Sequence, residues 1–416
     1  MAFGGRRFAF CAVALLLLAS CTQLGLRRAS LSTERVAAPT PPVAAATLSD
    51  WEVLKPALRD RFAETVYGTW PEGLAVTIGE TRLADANYLE GRGTLEETII
   101  RLGTGPGARV FTLAVAYPKQ TARSKMPIVI GQTFSDNCLT FRSRALTDRR
   151  GQACASDKMD GFGGWAATRI LGRYIASAPI GDYLDRGIAY ANFYAGQIVP
   201  DRPQAAAVAM AALREGEGLT ASSALSYWGY GYSAAIDFLE TNPRIDLDRI
   251  GIFGHSRHGK SALVAAAWDE RIDLVLAHQS GFGGAALSRS TVGERIDRVA
   301  ETYPHWFAPA FQTYAQAPDT LPLDQHHLLA LLAPRPVFLG NGRRDVWSDP
   351  NSTYRAAQGA DRIYELYGAS GLDQSGLDDF NPGAELAFQL RAGAHGVTPE
   401  DVAAMLAFVD AHWPAD

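Results

Sequence analysis

Gly251-Ile-Phe-Gly-His-Ser-Arg-His-Gly-Lys260 is the stretch that decides the fold. It ends an apolar run and leads into the helix-forming run Ser261–Trp268. A strand, a tight turn carrying a serine between glycines, and a helix make a nucleophile elbow. Such a turn lifts the serine above the end of a sheet, where its hydroxyl can attack a carbonyl carbon. The usual pattern is G-x-S-x-G. Here the second glycine comes one place late, as Gly254-His-Ser256-Arg-His-Gly259, and Lys260 follows. Serines between glycines also occur in ordinary turns, so the reading depends on partners elsewhere in the chain.

The flanking sequence supplies a sheet for that elbow. Val110–Tyr117 is β-branched and aromatic. Pro127–Gly131, Ile188–Phe193, Ile250–Phe253, Leu274–His278, Pro336–Leu339 and Ala387–Leu390 are short apolar runs that read as strands. Between them, Asp50–Tyr67 and Ser222–Thr241 carry apolar residues at helical spacing. A closing helix follows the last strand, with Thr398 as its cap, Pro399 at its first position and Glu400-Asp401 matching its dipole. Strands alternating with helices predict an α/β-hydrolase fold: a mostly parallel central sheet with helices on both faces.

A serine hydroxyl is a weak nucleophile at neutral pH. It needs a histidine base, and the base needs an acid to fix its tautomer and stabilise the imidazolium. In this fold the chain order is serine, acid, histidine. His395 lies after the last strand and before the last helix, in Arg391-Ala-Gly-Ala-His-Gly396. His412, near the end of a surface helix, suits a solvated or capping role better. Asp345 follows the strand Pro336–Leu339, the usual place for the acid. Asp349, just before Pro350, is the competing choice, and as a pre-proline residue it also suits a turn or helix cap. Arg257 places its backbone N–H at an oxyanion hole, and its charge adds to that field. Lys260 sits one helical turn beyond Ser256, a place from which it would face the same mouth. Cations at a helix N-terminus are unfavourable, and a local cost without visible structural benefit marks a site feature.

The ends and composition limit the function classes. Residues 1–20 read as a lipoprotein signal peptide: Arg6-Arg7, the apolar run Phe8–Leu18, then Leu18-Ala19-Ser20-Cys21. Cleavage would leave Cys21 as a lipidated N-terminus. With Thr22 and no Asp after the cysteine, resemblance to Gram-negative lipoproteins implies the outer membrane. Residues 21–49, rich in Ala, Pro, Thr and Arg, read as a flexible tether, and residues 50–416 as the α/β-hydrolase domain. A formal net charge of -5 without a basic cluster argues against nucleic acid as a partner. No metal-ligand spacing is present; His326 and His327 are adjacent and would point apart. Acyl transfer by this route needs no cofactor. Cys138 and Cys154 remain after Cys11 leaves with the signal and Cys21 takes the lipid. In an exported protein they are candidates to pair, which spacing alone does not decide.

These residues together resemble the bacterial glucuronoyl esterases, carbohydrate esterase family 15. The elbow Gly254-His-Ser-Arg-His-Gly-Lys260 is similar to that family's G-x-S-R-x-G-K signature. Further similar segments are Trp268-Asp-Glu-Arg271, Ser280-Gly-Phe-Gly-Gly-Ala285, Gly293-Glu294, Pro304-His-Trp-Phe307, Leu321-Pro-Leu-Asp-Gln-His326, Ala333-Pro-Arg-Pro336, Asp345-Val-Trp347 and Gly393-Ala-His395. The resemblance implies a serine esterase of 4-O-methyl-glucuronoyl esters, which join glucuronoxylan branches to lignin alcohols. It implies Ser256 as nucleophile, His395 as base, Arg257 at the oxyanion hole, and Lys260, Glu294 and Trp347 as uronate contacts. One departure matters. Some members carry the acid as Glu just before the Ser-Gly segment, where this chain has Gln279. A neutral amide cannot replace a carboxylate beside an imidazolium, which agrees with an acid after the later strand. Two other readings remain in view: an acetyl or feruloyl esterase of the same fold, and a non-catalytic glycan-binding surface lipoprotein. The expected protein is a monomer.

Overall fold

The computed structural model describes residues 43–121, 123–217 and 222–414. The signal segment 1–20, Cys21 and most of the tether lie outside the described residues. The first helix, α1 (Leu48–Phe62), starts inside the span read as tether. Thr47 Oγ1 accepts a hydrogen bond from Asp50 N, and Asp50 Oδ2 accepts one from Thr47 N, a reciprocal cap that fixes the start two residues before Asp50. A π-helical turn, Ala63–Tyr67, completes the opening helix.

Among the described residues, one nine-stranded sheet organises the molecule. Its strands are β1 (Val76–Tyr88), β2 (Gly93–Leu102), β3 (Arg109–Pro118), β4 (Met126–Thr133), β5 (Ala189–Tyr194), β6 (Ile245–His255), β7 (Leu274–His278), β8 (Val337–Gly342) and β9 (Leu386–Arg391). Their spatial order is β1-β2-β3-β5-β4-β6-β7-β8-β9. The first three run as antiparallel neighbours and β3 meets β5 antiparallel. From β5 onward every pairing is parallel. The expected mostly parallel sheet is present, with an antiparallel extension at one edge.

Side chains along a strand alternate between faces, and here both faces are covered. Ile128 and Ile130 of β4, Ile250 and Ile252 of β6, Val337 and Leu339 of β8, and Leu386 and Phe388 of β9 enter one core. Val129, Phe338 and Ala387 enter the other. The remaining long helices are α2 (Gly161–Leu171), α3 (Pro203–Glu217), α4 (Ala224–Leu239), α5 (Arg257–Trp268), α6 (Pro350–Leu366) and α7 (Pro399–His412). Those of α1, α4, α5 and α6 close the first core, and α7 closes the second through Val402, Met405, Leu406, Phe408 and Val409. Each fully buried Leu, Ile or Phe contributes about 1.5–3 kcal/mol, so these near-continuous apolar strands hold the sheet's parallel half in one register. Cys138 and Cys154 are joined by a disulfide, their Cα atoms 5.9 Å apart.

The parallel strands share one polarity, so their C-terminal ends meet along one rim. His255, His278, Gly342 and Arg391 are the last residues of β6, β7, β8 and β9. Ser256, Gln279, Asp345 and His395 come from the loops that leave them.

Candidate active site

Ser256 occupies the turn between β6 and α5 with φ 57° and ψ −125°, a backbone conformation that non-glycine residues avoid and that clusters at functional sites. The turn exists because its neighbours are small. A Cβ on Gly254 would lie 2.0 Å from His258 O, and one on Gly259 would lie 3.1 Å from Gly254 O and Ser280 Cβ. This explains the late second glycine: the helix meets β7 at position 259. His258 fits at the place a glycine usually takes because its ring turns inward, with Nδ1 2.9 Å from Gln132 Oε1 and the ring 4.6 Å from Phe134 and 5.7 Å from Trp228. Ser256 N donates to His278 O at 2.8 Å, tying the elbow to β7.

His395 Nδ1 lies 2.7 Å from Asp345 Oδ2. The Asp345 side chain is almost wholly buried, whereas that of His395 is 30% exposed. Burial acts to raise the Asp345 carboxyl. The charge and hydrogen bond of His395, with those from Ser348, outweigh it, and the net shift is downward. An ionised carboxylate only accepts hydrogen bonds, so His395 Nδ1 carries the proton and Nε2 is left as the basic nitrogen. Ser348 Oγ, 3.3 Å from the same Nδ1, donates to Gln279 O. Asp349 is directed elsewhere. It caps α6 by accepting from Ser352 N at 3.2 Å and takes the Ser290 hydroxyl on its other oxygen.

Gln279 holds the histidine loop instead of replacing an acid. Its Nε2 donates to Ala394 O at 3.2 Å, and its Oε1 accepts from Gly396 N at 2.8 Å. Both neighbours of His395 are thus pinned by one amide. A carboxylate there could not supply the donor half of that clamp.

Arg257, at the start of α5, sends its guanidinium to Asp201. Asp201 also accepts from Trp306 Nε1 at 2.7 Å and from His305 Nε2 at 2.9 Å. The guanidinium lies 5.0 Å from the Trp306 ring, 5.5 Å from Phe134 and 5.6 Å from Tyr303. Burial acts to raise Asp201, but His305, Arg257 and Trp306 together hold it well below the usual carboxylate range. The charge on Arg257 is therefore fixed in place and partly balanced. Sequence reasoning missed Asp201, Phe134 and Tyr303. The Pro304–Phe307 segment signalled Trp306 only as part of a family likeness.

Lys260 does not stand at the open mouth. It is buried, and its ammonium donates to Ser280 O at 2.8 Å, Phe282 O at 2.5 Å and Glu294 Oε2 at 2.9 Å. Its three protons are all engaged, which resolves the cost of a cation at the α5 N-terminus. Glu294 Oε1 in turn accepts from Trp347 Nε1 at 2.9 Å, and Trp347 is 58% exposed. The chain of contacts Lys260–Glu294–Trp347 runs from the interior to an open aromatic face.

That chain yields a stability prediction. Glu294→Gln strands the Lys260 ammonium among carbonyls, and breaking a buried pair this way is expected to cost on the order of 3 kcal/mol near neutral pH. Burial already pulls Lys260 below the ordinary lysine value, with Glu294 opposing; losing the carboxylate lowers it further. Between the folded and unfolded values the unfolded chain binds more protons, so stability there rises with pH. Denaturant unfolding should show the deficit shrinking as pH rises from neutrality toward the unfolded lysine value. A deficit that is constant across that range would refute the assignment.

A serine on a strained strand–helix turn and a histidine–carboxylate pair on two later loops at the same rim of a doubly covered parallel sheet make the frame of an α/β-hydrolase that acts on carboxylic esters. Comparison narrows the class. A family model described as "Glucuronyl esterase, fungi" matches residues 173–368. A protein named Carbohydrate esterase MZ0003, from an unknown prokaryotic organism, is 31% identical over 357 residues, covering 84% of this chain and 82% of that protein. The chain belongs to this family, carbohydrate esterase family 15, the glucuronoyl esterases, and is a carboxylic ester hydrolase. A 4-O-methyl-glucuronoyl methylesterase of Hypocrea jecorina is 36% identical over 176 residues, which is 38% of its own length. Among solved structures, the glucuronoyl esterase from Solibacter usitatus has a TM-score of 0.75 at 26% identity, covering 92% of this chain and all of that one. A CE15 esterase from a marine bacterial metagenome, described as promiscuous, has a TM-score of 0.77 at 28% identity, covering 92% of this chain and 99% of the other.

Proposed function

We propose that this protein hydrolyses 4-O-methyl-glucuronoyl esters that link glucuronoxylan to lignin alcohols, through a Ser256–His395–Asp345 acyl-enzyme mechanism. His395 Nε2 takes the Ser256 proton as Oγ adds to the ester carbonyl. The Arg257 N–H and guanidinium stabilise the oxyanion. The imidazolium then protonates the departing alcohol, and water repeats the sequence to release the uronate. The Asp345–His395 contact carries this reading, since it sets the tautomer that the mechanism requires. Trp347 and Glu294 supply an aromatic face and a hydrogen-bonding edge for the sugar, with Lys260 holding Glu294 in place. The family relatives named for 4-O-methyl-glucuronoyl esters support the acyl group. In this proposal the working protein is a monomer, anchored by a lipid on Cys21 to the outer membrane.

The test is selectivity. Purified protein is expected to hydrolyse benzyl methyl-glucuronate with kcat/KM about 10²-fold or more above that for benzyl acetate, because sugar contacts made at the transition state raise kcat/KM. Faster acetate turnover would keep the fold and overturn the substrate. The structural neighbour described as promiscuous makes the acetate arm a real contest.

A further inference from the structure

Behind the base lies a buried polar chain that the mechanism leaves unused. Arg391 Nε donates to both oxygens of Asp401, at 2.7 and 2.6 Å. Asp401 also accepts from Thr398 N and Thr398 Oγ1, each at 2.8 Å, and lies 2.9 Å from His278 Nε2. His278 Nδ1 lies 2.8 Å from His255 Nδ1. The His255 ring packs 4.7 Å from the His395 ring, tilted by 43°. His278 and Asp401 are 0% exposed, and His255 and Arg391 are 3% exposed. His255 Nε2 is buried with no hydrogen-bond partner among the described residues.

The chemistry fixes each proton in turn. Asp401 is an acceptor only, so His278 Nε2 carries a hydrogen. Arg391 already balances the Asp401 charge, and a further cation on the histidine pair would sit uncompensated in a dry interior. His278 Nδ1 is therefore the acceptor, His255 Nδ1 the donor, and His255 Nε2 the bare nitrogen. Burial, followed by the nearby His395 and His278, pushes His255 well below the usual histidine value.

We propose that Arg391, Asp401, His278 and His255 form a second positioning arm for His395, setting the tautomer of the imidazole beside it. The inference rests on the reading of His395 as the base. A neutral ring with a bare nitrogen favours an imidazolium on its neighbour; the opposite tautomer would present an N–H and disfavour it. The groups that face His255 are few. Ser256 follows it in the chain and His258 comes from α5. His278 comes from β7, Arg391 from β9, and His395 from the loop after β9. The Phe134 ring lies edge-on at 6.0 Å. Asp345 meets His395 directly and serves as the first arm.

The experiment compares the unsubstituted protein with His255→Phe and His395→Ala on the same activated glucuronate ester. His255→Phe keeps a ring beside His395 and removes the bare nitrogen. It is expected to lower kcat about tenfold with KM unchanged and to move the acidic limb of the kcat/KM profile to lower pH by about half a unit. Packing alone would not move that limb. An unshifted profile, with His395→Ala inactive, overturns the inference alone. Activity retained in His395→Ala overturns both the base assignment and the inference. Nitrogen-15 NMR of the unsubstituted protein is an independent check that needs no variant to fold. His255 is expected as the neutral Nδ1–H tautomer, and an Nε2–H signal would overturn the proposal.

Discussion

Ser256→Ala is expected to lower kcat by about 10⁶-fold while leaving the melting temperature within a degree or two of the unsubstituted protein. Removing the nucleophile deletes the covalent route altogether. It changes almost nothing in the fold. Serine and alanine both carry a Cβ, so the strain at φ 57° is the same in each. The backbone bond from residue 256 to His278 O is retained, and the glycines that permit the turn are untouched. The residual rate should come from the Arg257 N–H and the binding groups, which still favour the transition state. Residues that act as one unit are not additive, so Ser256→Ala combined with His395→Ala should be no slower than either alone. Steady-state hydrolysis of benzyl methyl-glucuronate checks this. A loss below about a hundredfold would mean that another nucleophile or a different site does the chemistry.

The parallel half of the sheet was legible because its strands are buried on both faces. A doubly covered strand reads as a plain apolar run, which is what Pro127–Gly131 and Leu274–His278 are. The hairpin of β1 and β2 was not. Its β1 segment, Val76–Tyr88, is largely exposed and carries Gly79, Glu80, Arg82 and Asp85, so neither hydrophobic periodicity nor composition marks it. The same difference divides the site. The serine, the histidine and both candidate acids announced themselves by where they follow strands. Asp201 did not, because it meets Arg257 across 56 residues with nothing local to point there. Lys260 was legible as an anomaly and misread as to place. An unfavourable charge at a helix start can mean a mouth that uses the charge or an interior that neutralises it. Only the Glu294 carboxylate and the carbonyls of Ser280 and Phe282, brought round by the loop after β7, decide for the second.

Asp345→Asn is expected to reduce kcat by about 10⁴-fold, whereas Asp349→Asn should leave kcat within a few-fold of the unsubstituted value. The two residues stand four apart and offer the same chemistry, so geometry separates them. Asp345 accepts the Nδ1 proton of His395 at 2.7 Å. An amide in its place can turn its NH₂ toward that nitrogen, which puts the ring proton on Nε2, where it can no longer accept from Ser256. Asp349 has the left-handed backbone that asparagine tolerates, with φ 46°, and its carboxylate caps α6. Asparagine is as good a cap as aspartate, so Asp349→Asn should shift stability by less than about 1 kcal/mol. The pH dependence gives a second reading of the same pair. Asp345 is held below its ordinary value in the fold, so its ionised form adds stability above the unfolded value. That contribution disappears as pH falls through the folded value. The stability gap between the unsubstituted protein and Asp345→Asn should therefore narrow on acidification, while Asp345 continues to orient the base through the neutral range. If Asp349→Asn proved inactive and Asp345→Asn active, the acid would have to reach His395 in an arrangement other than the one in which Asp345 now lies against it.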